Sequence, residues 1–384
     1  MRRVYLDHHA TTPCAPEVVA AMQPYLSDAF GNAASRQHTL GMHAHAAAKR
    51  ARTQVATLIG ARPDDLIFTS GATEANNLAV LGTLRGAGSG HLIVGATEHP
   101  AVLEPARQLE REGFALTVLP VDPQGHVDAD ALRAALRPDT RLVSLILANN
   151  EIGTLLDLDA IYAVCAEAEV PLHTDATQAP GWLDLSTLAQ RADLISLSAH
   201  KMYGPKGIGA LCVRGGPSAR PMQPLVFGGG HEAGLRSGTL AVPLAVGMGV
   251  AAELAARFVI EGGPDRVRRL RDELHQRIQA LAPEVVLHGD PAQRLPNNLS
   301  LGFPGRQATA LMMAMRHIAV AAGSACSSAD PRPSHVLVAL GVPARTARGT
   351  LRFGLGRTTP PEHLSIAADA LGEALQRVQL DTPC

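Results

Sequence analysis

The run Asp193-Leu194-Ile195-Ser196-Leu197-Ser198-Ala199-His200-Lys201-Met202-Tyr203-Gly204-Pro205-Lys206-Gly207 decides how this chain is read. Its first six residues predict a buried strand that ends in small polar side chains. Lys201 then stands at the mouth of that strand, ahead of a Gly-Pro-Lys-Gly turn. Most lysines are solvated surface charges, and this is an odd place for one. An imine-forming lysine needs a depressed pKa, which burial and neighbouring cations supply. His200 and Lys206 flank Lys201. The residue is therefore a candidate carrier of an imine to pyridoxal 5'-phosphate.

Outward from this run, short apolar segments alternate with helical ones. Leu66–Thr69, His91–Gly95, Ala115–Leu119, Leu142–Leu147, Val170–His173, Leu194–Ser198 and Gly209–Val213 read as strands. Amphipathic stretches such as Glu98–Glu112 and Asp128–Leu136 lie between them. The alternation predicts an α/β domain with a mostly parallel seven-stranded sheet, covered on both faces. Long helical stretches follow, from Pro243 to Glu261 and from Asp265 to Leu281. Leu299–Gly302 and Arg352–Gly354 are short strands in a smaller α+β unit. The expected division is a large cofactor-binding domain over 14–255, with 1–13 and 256–384 forming the small domain. The segment through Ala47 is rich in loop signals and is expected to return to the small domain or reach a partner.

A pyridoxal site needs further groups, and the strand ends supply them. Asp175, in His173-Thr174-Asp175-Ala176-Thr177-Gln178, is an anion for the pyridinium nitrogen, which keeps the ring an electron sink; its plainer reading is a helix cap. Gln178 is a donor for the phenolate oxygen. Ser70-Gly71-Ala72-Thr73-Glu74 turns from strand into helix, and Ala72 and Thr73 are phosphate ligands of the kind helix starts provide. Ser198 and His200 add to that cradle. His99, in Thr97-Glu98-His99-Pro100, is the ring to stack on the pyridine; its plainer reading is a helix-entry histidine. Asn149-Asn150 follows another strand, and buried asparagines demand partners. Asn150 is assigned to cofactor and substrate. Arg352, within an apolar strand, wants a carboxylate fork, and a substrate α-carboxylate is a suitable one.

Cys326 sits in Gly323-Ser324-Ala325-Cys326-Ser327-Ser328, where small residues leave a thiolate room to reach a substrate. The other cysteines are Cys14, Cys165, Cys212 and Cys384. No two have metal-ligand spacing, so no metal site is expected. His8 and His9 are adjacent histidines without a third ligand in view.

The 384 residues carry formal net charge -1, which argues against a nucleic-acid or membrane partner held by bulk charge. Aromatic residues are 3%, so the core must be mostly Ala, Val and Leu. No apolar run is expected to approach the ~20 residues of a membrane span. An acid at Asp7 comes too early for a signal peptide, so a cytoplasmic location is expected.

Taken together, Ser198-Ala199-His200-Lys201-Met202-Tyr203-Gly204-Pro205-Lys206-Gly207, Asn149-Asn150-Glu151-Ile152-Gly153, Gly228-Gly229-Gly230-His231-Glu232, Arg236-Ser237-Gly238-Thr239 and Gly323-Ser324-Ala325-Cys326 resemble the cysteine desulfurases of the NifS/IscS family. The resemblance runs from Tyr5 to Arg357. It implies pyridoxal phosphate as cofactor, the aminotransferase fold (fold type I), and L-cysteine as substrate. It implies a homodimer in which Thr239 reaches the neighbouring subunit's phosphate. It also implies that the Cys326 loop is of the longer NifS/IscS type rather than the short SufS type. Three segments depart from the family pattern. The usual Asp-Asn-Ala-Ala-Thr-Thr is Asp7-His8-His9-Ala10-Thr11-Thr12, the usual Gly-Asn-Pro-Ser-Ser is Gly31-Asn32-Ala33-Ala34-Ser35, and Ala233 stands where arginine is common.

The expected chemistry follows. Arg352 holds the substrate carboxylate, Lys201 removes the Cα proton, Cys326 takes the sulfur as a persulfide, and His99 moves protons. The sulfur then passes to an acceptor protein such as an iron–sulfur scaffold, or into tRNA thiolation. Cys326 is also a candidate transient iron–sulfur ligand. The rival readings are a selenocysteine lyase, a plain aminotransferase, and a non-catalytic sulfur carrier or assembly scaffold.

Overall fold

The computed structural model describes residues 3–323, 333–378 and 380. The chain opens with a two-residue strand, β1 (Val4–Tyr5). The central sheet follows, built from β2 (Leu66–Thr69), β3 (His91–Gly95), β4 (Ala115–Leu119), β5 (Thr140–Ile146), β6 (Leu172–Asp175), β7 (Leu194–Ser198) and β8 (Gly209–Val213). Their order across the sheet is β2-β8-β7-β6-β5-β3-β4. From β4 to β7 every pair is parallel. β8 is antiparallel to both of its neighbours. The expected seven strands all form, in a mixed but mostly parallel sheet. β6 is displaced from the expected Val170–His173. Pro171 has no N–H for the ladder, and pairing starts one residue later, at Leu172. The strand then runs on to Asp175, which becomes its last residue.

Alternation along the strands loads both faces of the sheet. Leu66, Phe68 and Ile93 enter one apolar core, which Val55 of the helix Thr39–Leu58 and Met248 of the helix Val242–Ile260 also line. Ile67, Leu92 and Val94 enter the other, with Val102 and Leu109 of the helix Pro100–Arg111. β4, at the sheet's edge, is the most exposed strand, with Val118 48% accessible.

Two expectations are corrected here. The segment through Ala47 is not loop throughout: it holds the helices Pro16–Met22 and Pro24–Ser27, and the helix Thr39–Leu58 covers its last part. Ala44, Ala47, Ala48 and Ala51 make up much of the buried face of Thr39–Leu58, so few large apolar residues mark the helical period in the sequence. Small side chains let the helices approach closely: a Cβ on Gly249 would lie 2.8 Å from Ala51 Cα. An apolar run of near-membrane length does exist. Val242–Ile260 spans 19 residues with mean hydropathy 1.6, long and apolar enough to cross a membrane by length and composition. In the fold, its Ala245, Met248, Ala251, Ala252 and Ala255 are core residues.

The C-terminal part holds β9 (Val286–Leu287), β10 (Asn298–Gly302), β11 (Ile318–Ala319), β12 (Ala321–Ala322) and β13 (Thr350–Gly354). β12, β13, β10 and β9 form an antiparallel sheet. Leu274 and Ile278 of the helix Gly263–Leu281 and Leu371 of the helix Glu362–Arg377 share its core with Leu301, Phe303 and Phe353. β1 adds to this unit by pairing in parallel with β11. A further bridge between Asp7 and Gly354 brings the residues after β1 alongside β13.

Candidate active site

β2, β3, β5, β6 and β7 run in one direction, so their carboxyl ends lie along one edge of the sheet. That edge of an open α/β sheet is where ligands bind. A cavity of about 580 Å³ opens there. Its lining comes from segments far apart in sequence: Ser70–Glu74 after β2, His99 after β3, Ile146 and Asn150 at the end of β5, Asp175, Thr177 and Gln178 at the end of β6, Ser198, His200 and Lys201 after β7, and Lys206 and Gly207 before β8. His9, Ala10 and Thr11 line it from the N-terminal segment and Arg352 from β13.

Lys201 ends a single 3-10 turn, Ala199–Lys201, that leaves β7. Its Nζ donates to the carbonyls of His9 and Ala10, the latter at 2.8 Å. The turn that follows is held firmly. Tyr203 takes a left-handed φ of 66°, uncommon for an aromatic residue. Its N–H donates to Thr12 Oγ1 at 2.9 Å, and its hydroxyl accepts from Arg357 N at 2.7 Å. Such surroundings over-determine a strained residue.

Asp175 is 4% exposed. Its carboxylate accepts from Asn76 Nδ2 at 2.7 Å and from Thr177 N at 3.0 Å. Asn76 escaped sequence reading, since an asparagine inside a helix carries no mark of its aim across 99 residues. His99 stands at the start of a helix and beside the cavity. It caps the helix Pro100–Arg111, its Nδ1 accepting from Ala101 N at 3.0 Å, and it lines the cavity. Because Nδ1 accepts, the neutral ring carries its proton on Nε2. Burial lowers its pKa, against the raising influence of Asp175. Burial and then Lys201 and Lys206 bring His200 down to about 4, so it is neutral too.

The carboxylate of Glu98, next to His99, is buried, and its pKa is raised well above the usual range by burial. Its Oε1 accepts from Ile146 N at 2.8 Å, tying the β3 loop to the end of β5. Of the two asparagines after β5, only Asn150 lines the cavity. The demands of Asn149 are met by protein: Nδ2 donates to Thr97 O, and Oδ1 accepts from the N–H groups of Glu151 and Ile152. Arg352 is 3% exposed. One Nη donates to Asp7 Oδ1 at 3.1 Å and the other to Asn150 O at 2.8 Å.

Ala72 and Thr73 begin a helical run that continues from Ala72–Asn77 through a π turn, Leu78–Gly82, into Thr83–Ala87. Two sequence motifs tie into the elements around this cradle. Glu232 accepts from both Arg52 Nη2 (2.7 and 2.9 Å) and Phe68 N (2.7 Å), and Arg236 Nε pairs with Glu74 at 3.0 Å. Thr239, in the same loop, is exposed and lies off the cavity lining. Cys326 lies outside the described residues, as does Cys384. Cys165 and Cys212 are buried, and burial raises each thiol to about 12. Among the described residues, no group of three His, Cys, Asp or Glu side chains could hold a metal.

Residues 4–366 match the family model described as Aminotransferase class-V, and the chain belongs to that family. The cysteine desulfurase IscS of Methylococcus capsulatus is 46% identical over 382 residues, covering 99% of this chain and 94% of that protein. A solved NifS-like protein superposes with TM-score 0.90 at 32% identity, covering 97% of this chain and 99% of that one. A structure of SspA in complex with cysteine superposes with TM-score 0.81 at 35% identity, covering 92% and 98%. Within the class-V aminotransferases, then, the chain stands with the NifS/IscS cysteine desulfurases, as its motifs implied.

The family is pyridoxal-phosphate-dependent, and the cavity fits that group. Lys201, Lys206 and Arg352 outnumber the acidic Glu74 and Asp175 in its lining, a balance that favours an anionic ligand. Thr177 Oγ1 and Arg352 Nε are buried polar atoms without a partner among the described residues, although their residues line the cavity. A Cβ on Gly71 would meet nothing within 4 Å, so space lies open beside the cradle. Asp175 is the one lining carboxylate near the sheet's centre that no cationic side chain pairs among the described residues.

Proposed function

We propose that this cavity is the active site of a pyridoxal-phosphate-dependent cysteine desulfurase that converts L-cysteine to L-alanine and leaves the sulfur on Cys326. The supporting observation is the convergence of Lys201, Asp175, His99 and Arg352 on one 580 Å³ cavity from four separate parts of the chain.

The bound cofactor supplies a carbonyl that condenses with amines and a ring that draws electrons from the substrate's Cα–H bond. Lys201 carries it, and Asp175 holds its ring nitrogen protonated. Gln178 would donate to its phenolate oxygen, His99 would stack on its ring, and Asn150 would border it. Ala72, Thr73, Ser198 and His200 hold its phosphate, with Thr239 contributed by the second subunit of a homodimer. Arg352, already fixed by Asp7 and Asn150, orients the substrate carboxylate. Once released, the Lys201 amine takes the proton from Cα. Cys326 attacks the substrate sulfur as a thiolate, forming an S–S bond as the C–S bond breaks. That bond's electron pair goes to the substrate's β-carbon, which is protonated on the way to alanine, so no external oxidant or reductant is consumed. His99 exchanges protons with the sulfur groups at Nε2. A persulfide acceptor, such as an iron–sulfur scaffold, then relieves Cys326.

Two substitutions test this reading. Lys201→Ala should lose the borohydride-trappable linkage to the cofactor. Cys326→Ser should keep the cofactor's visible absorbance yet form no persulfide from cysteine. Undiminished sulfur release by Cys326→Ser rules out the nucleophile, and a trapped linkage at another lysine rules out the cofactor site.

A further inference from the structure

His9 stands at one of the positions where this chain departs from the family pattern, and the fold places it in the wall of the cavity. It is 1% exposed. Its main-chain carbonyl accepts from Lys201 Nζ and from Gln178 Nε2, the latter at 3.1 Å. Its ring Nδ1 lies 3.1 Å from Gln178 Oε1. On its other side the ring packs against β13, two residues from Arg352: a Cβ on Gly354 would come within 2.8 Å of His9 Cδ2. One residue therefore touches the side chains of Lys201 and Gln178 and the strand of Arg352.

Only one arrangement satisfies both contacts with Gln178, and it leaves the buried Nε2, beside the Asn297 main chain, without the proton. A carbonyl only accepts, so the His9 carbonyl must face the NH₂ end of the Gln178 amide. The amide oxygen is thereby turned to the ring, and Nδ1 must donate to it. Burial holds the ring neutral, with its pKa lowered to about 3. The two contacts grip both ends of the carboxamide and oppose its flip. One hydrogen of Nε2 goes to His9, and the second is the one that a cavity ligand can take.

We propose that His9 is a positioning residue: it clamps the Gln178 amide so that an N–H faces the phenolate oxygen of the cofactor, and so sets the proton balance of the Lys201-bound chromophore. The inference rests on the cofactor reading above. A donor to that oxygen stabilises it as an anion and weakens the hold of the neighbouring Lys201-derived nitrogen on its proton. Loss of the donor must raise the pH at which the chromophore titrates. The charged groups around the pair are Arg352 on β13, Lys201 after β7, Asp175 at the end of β6, and Asp7 on the segment of His9 itself. All stay in place in the variants below.

The test is a pH titration of the visible band of the purified holoenzyme, with cofactor affinity measured by reconstitution of the apoprotein. His9→Phe keeps the bulk without a donor, and His9→Asn keeps a donor with less bulk. His9→Phe should raise the midpoint by about one pH unit, a tenfold change in proton affinity, as expected for one charge-assisted hydrogen bond. It should also weaken cofactor binding by roughly tenfold. His9→Asn should restore the midpoint to near that of the parent. In a Gln178→Met background, His9→Phe should add no further shift. Equal shifts from His9→Phe and His9→Asn, or a His9→Phe shift that persists without Gln178, overturn the inference. Gln178→Met alone should reproduce the upward shift, and keeps the test decisive if His9→Phe does not fold; an unmoved midpoint there also overturns it. A parent protein without any visible band on reconstitution removes the cofactor reading itself. A band whose midpoint ignores His9 removes only the role of His9.

Discussion

Replacing His99 by asparagine and by alanine separates the two roles of its ring. As a cap, Nδ1 accepts one bond, from Ala101 N at 3.0 Å. Asparagine is among the best N-caps and keeps an acceptor near that position, whereas alanine for a capping residue costs about 1 kcal/mol. At the scaling of larger domains, that lowers Tm by about 2–4 °C. As an acid–base group, the ring acts through Nε2, which neither replacement retains, and such groups contribute about 10²–10⁴ in rate. His99→Asn should therefore melt within about 1 °C of the parent. Its single-turnover rate of alanine formation from cysteine should fall by at least 10²-fold. His99→Ala should lose both. The parent's acid limb should lie below pH 6.5, because burial lowers the ring's pKa. Rapid-quench measurement of alanine with thermal unfolding of the same samples decides the matter. His99→Asn working within about threefold of the parent would refute the proton-transfer role.

Other outcomes are expected from the same geometry. Glu232→Ala leaves Arg52 and Phe68 N without their acceptor in a largely buried pair, whose side chains are 20% and 8% exposed. It should cost about 3 kcal/mol, read as a fall in urea midpoint, and adding Arg52→Ala should cost little more; strict additivity contradicts the pairing. Gly209→Ala drives a Cβ to 2.6 Å from Gly71 C and Leu197 O, both backbone. Apoprotein reconstitution should show at least roughly tenfold weaker cofactor binding, since overpacking of about 1–3 kcal/mol falls on the cradle; unchanged affinity excludes that strain. Stability should fall steeply in acid. His8, His173, His200 and His288 have pKa values lowered to about 4 and His9 to about 3, by burial in each case. The unfolded chain binds their protons first, so their contribution is present above pH 6.5 and is lost as pH falls towards 4. Each adds up to about 1.4 kcal/mol of destabilisation per pH unit in that window. Glu151, raised to about 7 by burial, works in the opposite sense, losing stability as pH rises towards 7. A urea midpoint that is flat between pH 7 and 5 contradicts the histidine account.

Much of the site was legible because its residues sit where strands end. A strand end followed by small or polar residues leaves a mark within five or six positions. Asp175, His99, Ser198 and Lys201 were found that way, and Ala72 and Thr73 through the glycine turn after β2. What could not be read was contact over long separations. Asn76 reaches Asp175, Asp7 reaches Arg352, and His9 grips Gln178. Each partner alone is an unremarkable polar residue in a helix or loop. The alanine-lined helix Thr39–Leu58 was missed for a related reason: its packing uses small side chains, and periodicity arguments depend on large ones.

By itself, then, the sequence determined the order of strands and helices, because apolar alternation and turn chemistry are local. It also determined which residue types were available for amine, acid–base and thiol chemistry. Only the tertiary structure decided that the amine and acid–base groups share one cavity. The parallel strands point their carboxyl ends to one edge, and the bridge from Asp7 to Gly354 folds the N-terminal segment onto it. That pairing depends on backbone hydrogen bonds between residues almost 350 positions apart. It sets His9 against Gln178 and Asp7 against Arg352, contacts that neither local sequence encodes.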